Sequence, residues 1–251
     1  EQSLQLYREA GDIANEAISL TNLGMAWLGL GEFARAERDL DAALKMLRAN
    51  GDRAIEASAL SALSTLTLWQ GDALKAVALA RTSLELARAA QARDKALEAA
   101  LRLGDAEAAL GRLSEARKAY ADGRASAVQM GNPLQFDLDA GLARVSLAEG
   151  DNAQARAALQ PLLQHVADGG TLDGTEYTSL IEWTCYRALS GAGDSQAFYW
   201  LNRAARALIA QANALNGGSS APQLLRDAFL KDVPHHREIM ACRAKLKLVE
   251  A

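Results

Sequence analysis

The side chains that could bind a metal or act in catalysis are few in this sequence and poorly spaced for either role. His235 and His236 are adjacent. Consecutive residues of a helix point about 100° apart, so these two could not readily share one metal ion. We expect both to be solvated. His165 lies near the end of a predicted helix, where we expect it to complement the helix dipole or to be exposed.

Motifs of enzymes and nucleotide-binding proteins are absent from the 251 residues. The sequence contains no GxxxxGK(S/T) phosphate loop and no GxSxG, HExxH or GxGxxG. Cys185 and Cys242 are far apart and outside any CxxC pair, which predicts reduced, buried thiols. We therefore expect a chain that is not an enzyme and that has no catalytic residue, metal or cofactor of its own.

Composition favours close-packed helices. Hydrophobic residues make up 50% of the sequence, aromatic residues only 5%, and there are four prolines. The formal net charge is -4 with both signs interspersed, so neither a nucleic-acid nor a membrane partner is expected. The sequence has no apolar run of membrane-spanning length and no basic segment ahead of an apolar run. These features predict a cytoplasmic setting.

Glycine recurs about every forty residues, and this period determines the predicted fold. One series consists of Gly31, Gly71, Gly111 and Gly150, and a second lies between them at Gly11, Gly51 and Gly131. Leucine stands eight residues before each glycine of the first series, at Leu23, Leu63, Leu103 and Leu142. Alanine stands five residues after each, at Ala36, Ala76, Ala116 and Ala155. Repetition on this scale is typical of a solenoid of helical hairpins.

Apolar residues three and four apart predict helices between the glycines. The alanine that opens each second helix is expected to allow close packing against the first. The predicted helices are 13–30, 33–47, 53–70, 73–90, 93–110, 113–130, 134–149, 152–167, 177–189, 197–215, 222–231 and a last one from Pro234.

The pattern divides the chain into a repeat array at 1–215, a flexible break at 216–221 and a helical C-terminal cap at 222–251. The array starts in phase with a second helix, so we expect a fragment of a longer protein. Its predicted units are 1–12 (partial), 13–51, 52–91, 92–131, 132–170 and 171–215 (degenerate).

The repeated residues resemble the tetratricopeptide repeat (TPR) family. Leu23, Gly24, Gly31 and Ala36 carry the resemblance best, although units of about forty residues exceed the usual length. The resemblance implies an all-α, right-handed α-α superhelix of about five hairpins. The long units, and the tail from Leu225 to Ile239, resemble the repeat regions of bacterial AAA/STAND-type signalling ATPases, regulators of the maltose-regulon activator kind and multidomain cyclases.

In TPR stacks the first helices line a concave groove that binds a peptide or a partner helix. The resemblance implies groove contacts from eight residues here, namely Asn22, Met25, Thr65, Trp69, Arg102, Asp105, Asp137 and Arg144. Two alternatives stay open: the charged residues could form ion pairs between neighbouring units, and Trp69 could serve in packing. Trp27 and Trp200 are assigned to packing.

The function expected from this resemblance is that of a non-catalytic interaction or sensor region of a larger bacterial signalling or transcriptional regulator. The ligand in the groove would be a protein, a peptide or a small inducer, and upstream domains of the parent chain would receive the signal. Those domains could include an ATPase or a cyclase. The alternative is a free-standing TPR adaptor with no such domains.

Overall fold

A computed structural model describes residues 2–215 and 222–246, and over these ranges the chain is α-helical without a β-strand. The helices are α1 Gln2–Ala10, α2 Ile13–Gly29, α3 Phe33–Asn50, α4 Arg53–Trp69, α5 Ala73–Ala89, α6 Arg93–Ala109, α7 Leu113–Met130, α8 Leu134–Ala148, α9 Asn152–Ala167, α10 Thr178–Gly191, α11 Ala197–Ala214, α12 Pro222–Lys231 and α13 Pro234–Lys245.

The observed helices agree closely with those expected from the sequence. Most ends differ by a residue or two, and the largest difference is at α3, which continues to Asn50 instead of stopping at 47. The all-α class is therefore confirmed. The predicted break at 216–221 and the end of the predicted cap after Leu246 lie outside the described residues. The grouping of helices into units stays a prediction.

Two compact units make up the chain, unit 1 at Glu1–Ala119 and unit 2 at Tyr120–Ala251. In unit 1, α2 pairs with α3 and α4 with α5, while α2 also contacts α4 and α4 contacts α6. In unit 2, α8 pairs with α9 and α10 with α11, while α8 contacts α10. Each unit therefore consists of helical hairpins whose first helices contact one another. Of the helices described, none combines the length and the apolar character needed to cross a lipid bilayer.

Aspartate begins several helices by the same local interaction. The side chains of Asp12, Asp52, Asp72 and Asp151 each accept a hydrogen bond from the backbone N–H three residues later, at 3.1, 3.1, 3.0 and 2.8 Å. This bond satisfies a donor that the helix itself leaves unpaired. Glu32 and Ala92, at the starts of α3 and α6, make no such bond.

Small residues allow the hairpins of unit 1 to close. A Cβ added to Gly24 in α2 would lie 2.5 Å from Cγ of Leu40 and 3.3 Å from the carbonyl oxygen of Ala36, both in α3. One hairpin later, Ser64 Oγ donates to the carbonyl oxygen of Ala76 at 2.8 Å. In both hairpins the first helix thus lies close to the alanine of the second helix, and all four alanines of the series are fully buried.

An ion pair repeats with the period of the sequence. Arg8 Nε in α1 lies 2.7 Å from Glu16 Oε1 in α2, and Arg48 Nε in α3 lies 2.8 Å from Glu56 Oε1 in α4. The two pairs are forty residues apart. They connect the end of a second helix to the start of the next first helix in the same way. The sequence period is therefore also a period of contacts.

Substitution of Ala76 tests the close approach of α4 and α5. The Ala76→Leu variant should lose about 1 to 3 kcal/mol of unfolding free energy, because its side chain must displace the α4 backbone or its neighbours. Ala78→Leu is the matched control, since Ala78 is exposed on the same helix. Urea unfolding of both variants checks the prediction, and equal stabilities would contradict it.

Gln91 occupies the one position of the second glycine series, forty residues after Gly51, where glycine is missing. Its φ is +55°, in the left-handed region. This conformation costs an L-residue other than glycine roughly 1–2 kcal/mol. Glycine avoids that cost but loses more conformational entropy on folding, which lowers the stability by about 0.5–1 kcal/mol. Gln91→Gly should therefore stabilise the protein by about 0.5–1 kcal/mol.

Thermal and urea unfolding measure this effect, with Gly71→Gln as the converse control. Gly71 follows the C-terminal cap of α4 with a φ of +94°, and an added Cβ would have no heavy atom within 4 Å. Only backbone strain should change there, so the variant should be less stable. A Gln91→Gly variant less stable than the parent would be evidence against strain at this turn.

Candidate functional site

The predicted partner-binding residues of α2 and α4 differ in how much surface they offer. Asn22 is exposed and Met25 is 36% exposed, both on α2. Thr65 is buried, and its hydroxyl donates to the carbonyl oxygen of Ser61 at 3.3 Å. Trp69 is half-buried, with its ring centroid 6.0 Å from that of Phe33. Asn22 and Met25 are thus the residues of this group best placed to meet a partner.

The predicted charged residues of unit 1 form a pair within one helix. Arg102 Nη1 lies 3.8 Å from Asp105 Oδ2 on α6, and the Arg102 side chain is only 5% exposed. An ion pair within α6 therefore joins these two residues, and the alternative of ion pairs between neighbouring units stays open. Whether they also contact a partner stays a prediction.

Asp137 and Arg144 belong to α8 in unit 2. Buried Asp137 accepts hydrogen bonds from the backbone N–H groups of Glu176 and Tyr177, at 3.1 to 3.3 Å, just before α10 begins. Its carboxylate thus orders the start of a neighbouring helix. Arg144 Nη2 lies 3.5 Å from the Tyr120 hydroxyl, with the guanidinium 5.9 Å from the ring centroid. Asp137 and Arg144 therefore have structural contacts inside unit 2.

Unit 1 contains a cavity of about 590 Å³ between α1, α2 and α3. We call it the Trp27 cavity. It combines apolar side chains with three arginines and one buried carboxylate. The lining residues are Leu4, Gln5, Arg8, Leu20, Leu23, Trp27, Arg35, Arg38 and Asp39.

Trp27 and Asp39 form the polar centre of this cavity. The indole Nε1 of Trp27 donates to Asp39 Oδ2 at 3.1 Å, and Arg38 Nε donates to Asp39 Oδ1 at 2.9 Å. The hydrogen bond and the charge of Asp39 raise the pKa of Arg38 above its ordinary value. The Arg35 guanidinium lies 4.7 Å from the Trp27 ring centroid, a cation–π contact. An aromatic ring, a carboxylate and two guanidinium groups are thus held together at one point.

The sequence assigned Trp27 to packing, and that assignment is incomplete. The ring does lie against the apolar cluster of unit 1 that includes Leu28 and Leu60, but its N–H belongs to the polar centre of the cavity. The signal was present in the sequence, because Asp39 stands where the next repeat has Leu79. An acidic residue in the register of a partly buried leucine indicates a position where the two copies of the repeat differ in packing.

No model of a known protein family and no curated protein sequence matches this chain. A solved structure of a Rap protein complexed with competence and sporulation factor is similar, with a TM-score of 0.66 and 15% identity. The match covers 97% of this chain and 70% of that chain.

A second similar structure is a tetratricopeptide repeat protein from Parabacteroides merdae, with a TM-score of 0.49 and 18% identity. That match covers 90% of this chain and 80% of the other. The likeness to the Rap protein shows the fold. This chain has the TPR-like arrangement of helical hairpins that its repeated residues predict.

The prediction that His235 and His236 are solvated is wrong. Both side chains are buried in unit 2, where the His236 Nδ1 donates to the carbonyl oxygen of Phe229 at 2.8 Å. The His235 ring centroid lies 4.4 Å from that of His236 and 5.7 Å from that of Tyr177. The cap helix α13 contacts α10 and α11, and this packing covers side chains that an isolated helix would expose.

Two other predictions about single residues need correction or detail. Cys185 is buried as expected, but Cys242 is only partly buried, with Sγ donating to the Tyr186 hydroxyl at 3.4 Å. Both thiols are free of disulfides. His165 lies in the last turn of α9, where its ring packs on Phe136 at 4.7 Å between centroids. Within residues 2–215 and 222–246 no three His, Cys, Asp or Glu side chains group as metal ligands.

Buried titratable groups of unit 2 predict a pH-dependent stability. Burial lowers the pKa of His236 to about 4, and burial with the nearby charges of His236 and Arg144 lowers that of His235 well below 6.5. The unfolded chain then binds more protons than the folded chain between about pH 6.5 and 4, so stability falls as the pH falls. His236 alone should cost about 2 kcal/mol between pH 7 and pH 5.

Comparison with His236→Asn isolates this effect, because asparagine can keep the bond to the Phe229 carbonyl. The comparison is needed because burial raises the pKa of Glu182 to about 7, which acts with the opposite sign, stabilising the folded chain as the pH falls. Urea unfolding at pH 7 and pH 5 should show a smaller loss for the variant than for the parent. Equal losses in the two proteins would contradict the assignment.

Proposed function

We propose that this chain is a non-catalytic helical-repeat module that binds a partner protein or peptide. The observation that carries the proposal is the likeness to the Rap protein, which extends over 97% of this chain. The Rap structure is a complex with competence and sporulation factor. Stacked hairpins present rows of side chains from successive first helices, and such rows suit extended peptides and partner helices.

We propose that the eight residues predicted from the sequence contribute to binding, and that the role of each depends on how exposed its side chain is. Asn22 and Met25 present surface on α2, so they are proposed to contact the partner directly. Trp69, Asp105 and Arg144 are half-buried and would add to the contact in their respective units. The buried Thr65, Arg102 and Asp137 would act by holding neighbouring side chains and helix ends in place.

The larger role that we propose is a sensor in the cytoplasm, within a bacterial signalling or transcriptional regulator. The resemblance of the long repeats and of the tail from Leu225 to Ile239 to AAA/STAND-type regulators supports it. Binding of a protein, a peptide or a small inducer would then be transmitted to other domains of the parent. A free-standing adaptor is the second candidate. The parent gene distinguishes the two, since a phosphate loop encoded upstream favours the regulator.

Substitutions at the exposed α2 residues test the proposed binding. A partner captured on the immobilised chain is purified, and its affinity is measured by calorimetry for the parent and for Met25→Glu combined with Asn22→Ala. We expect at least a tenfold weaker Kd, about 1.4 kcal/mol, because an apolar contact and an amide contact are lost.

Leu74→Glu is the matched control, since Leu74 is an exposed apolar residue of α5, at 64% exposure, outside the predicted site. It should leave the Kd within about twofold of the parent. Unchanged binding by the α2 variant would show that the partner contacts other helices and not these α2 residues. Failure to capture any partner would argue against an interaction module.

A further inference from the structure

Helix α10 carries two aromatic side chains at the positions where α2 carries two of the predicted partner-contacting residues. The buried residues of the two helices fall in one register, at a constant separation along the chain: Leu20 with Ile181, Gly24 with Cys185 and Leu28 with Leu189. In this register Trp183 corresponds to Asn22, and Tyr186 corresponds to Met25. The positions that present surface on α2 are therefore aromatic on α10.

Helix α13 contacts these aromatic side chains. The Trp183 and Tyr186 rings stack on each other, with their centroids 5.2 Å apart. Trp183 Nε1 donates a hydrogen bond to Glu238 Oε2 at 2.9 Å, and Cys242 Sγ donates to the Tyr186 hydroxyl at 3.4 Å. Two residues about one turn apart on α13 thus bind two residues about one turn apart on α10.

The first turn of α13 extends this contact to the start of α10 and towards α8. The His235 ring centroid lies 5.7 Å from that of Tyr177, the N-cap residue of α10. Burial, and then the positive charges of His236 and of Arg144 on α8, lower the pKa of His235. The Tyr177 N–H donates to Asp137 at 3.3 Å. The residues predicted to contact a partner in unit 2 therefore adjoin the surface that α13 covers.

The contacts of α13 have the spacing of a helix bound in a groove. His235, Glu238, Ile239 and Cys242 stand at i, i+3, i+4 and i+7. The first, second and fourth contact Tyr177, Trp183 and Tyr186, which we call the aromatic row, and Ile239 is fully buried. Amphipathic helices that dock into grooves of other proteins are anchored at the same spacing. Helix α13 thus occupies the aromatic row as a bound partner helix would.

The packing of α13 is weaker in apolar contact than that of the repeat helices. Its buried side chains are two adjacent histidines and Ile239, whereas α11 buries Trp200, Leu201 and Leu208 among others. Burial of large apolar side chains supplies most of the free energy of helix packing, and the Trp183–Glu238 hydrogen bond lies at the surface. A helix with larger apolar anchors can therefore compete with α13 for the aromatic row.

We propose that the aromatic row binds an amphipathic helix of a partner protein and that α13 occupies the row as an internal competitor. The partner helix carries an apolar residue in the place of Ile239 and, one position earlier, a carboxylate that accepts from the Trp183 indole. This inference rests on the proposed function, because it names the kind of partner segment and the contact that restricts its access. Occupancy by α13 weakens partner binding in proportion to the fraction of chains in which the row is closed.

A synthetic peptide with the sequence of residues 233–246 tests the proposal, because the aromatic row holds that sequence in the structure. The fluorescein-labelled peptide is titrated against the full chain and against the full-length Ile239→Asp variant, in which a charge at a buried position releases α13. Fluorescence anisotropy should give a Kd at least about tenfold tighter for the variant, since in the parent α13 competes. Lys245→Ala is the matched control, because Lys245 is exposed on α13, and its Kd should equal that of the parent.

Trp183→Ala, added to Ile239→Asp, identifies the surface that the peptide binds. It should weaken peptide binding at least about tenfold, because an aromatic anchor and its hydrogen bond are lost. A peptide that carries Glu238→Lys should bind Ile239→Asp more weakly as well, whereas a peptide that carries Lys245→Ala should bind as the unsubstituted peptide does. Circular dichroism and thermal unfolding verify that the protein variants are folded.

Hydrogen exchange of the parent chain makes the test independent of the folding of any variant. The backbone amides of α13 should exchange at least about tenfold faster than those of α11, because α13 leaves the aromatic row without opening the α10–α11 hairpin. Equal protection of the two helices would make α13 a fixed part of the fold and would overturn the proposal.

Two further results would overturn it. Equal peptide affinities of the parent and Ile239→Asp would show that α13 does not compete for the site. An unchanged Kd after Trp183→Ala would place the peptide outside the aromatic row. Either result, with a partner still captured on the immobilised chain, would leave the proposed interaction module standing. Failure of the peptide to bind Ile239→Asp, together with failure to capture any partner, would count against the proposed function as well.

Discussion

The constraint on which the hairpins of unit 1 depend is the approach of a first helix to the alanine of the second. At Gly24 there is no room for a side chain, since a Cβ there would lie 2.5 Å from Leu40 Cγ and 3.3 Å from the Ala36 carbonyl oxygen. At Ser64 the small side chain fits, and its hydroxyl donates to the Ala76 carbonyl oxygen at 2.8 Å. Interiors are packed too densely to absorb even one extra methylene without displacement. The short distance between the two helices therefore requires small residues at these positions. The same distance determines where the neighbouring leucines pack.

Once this contact fixes the hairpin, the same local chemistry can be reused along the chain. Aspartates begin α2, α4, α5 and α9 with the same bond, and the Arg8–Glu16 pair is repeated by Arg48–Glu56. Each aspartate cap contributes about 1 kcal/mol, and each partly exposed ion pair contributes less than about 1 kcal/mol. Together they favour one fold, because the helix starts, the ion pairs and the buried leucines all specify the same register of helix against helix.

The elements that sequence could predict are those determined within a few residues of chain. Helix bounds and aspartate caps depend on local hydrogen bonding, so α12 at Pro222–Lys231 was predicted residue for residue. The burial of His235 and His236 depends on how α13 meets α10 and α11, which no local pattern records. The bond from Asp137 to the backbone at Glu176 and Tyr177 likewise joins positions about forty residues apart. For the Trp27 cavity, the Asp39 substitution was visible in the sequence, but its bond to Trp27 required three-dimensional placement.

The presence of aspartate at position 39 is not explained by the stability of the fold. Leu79 occupies the same register one repeat later and packs in the apolar cluster of unit 1, so this architecture accepts leucine at that point. Replacement of a buried charged group and its partner by a well-packed hydrophobic residue is often neutral or stabilising. The carboxylate at this position instead orients its hydrogen-bond donors. Asp39 holds the Trp27 indole and the Arg38 guanidinium at the edge of a cavity. The departure from the repeat therefore creates a polar centre at a position where the next copy makes an apolar contact.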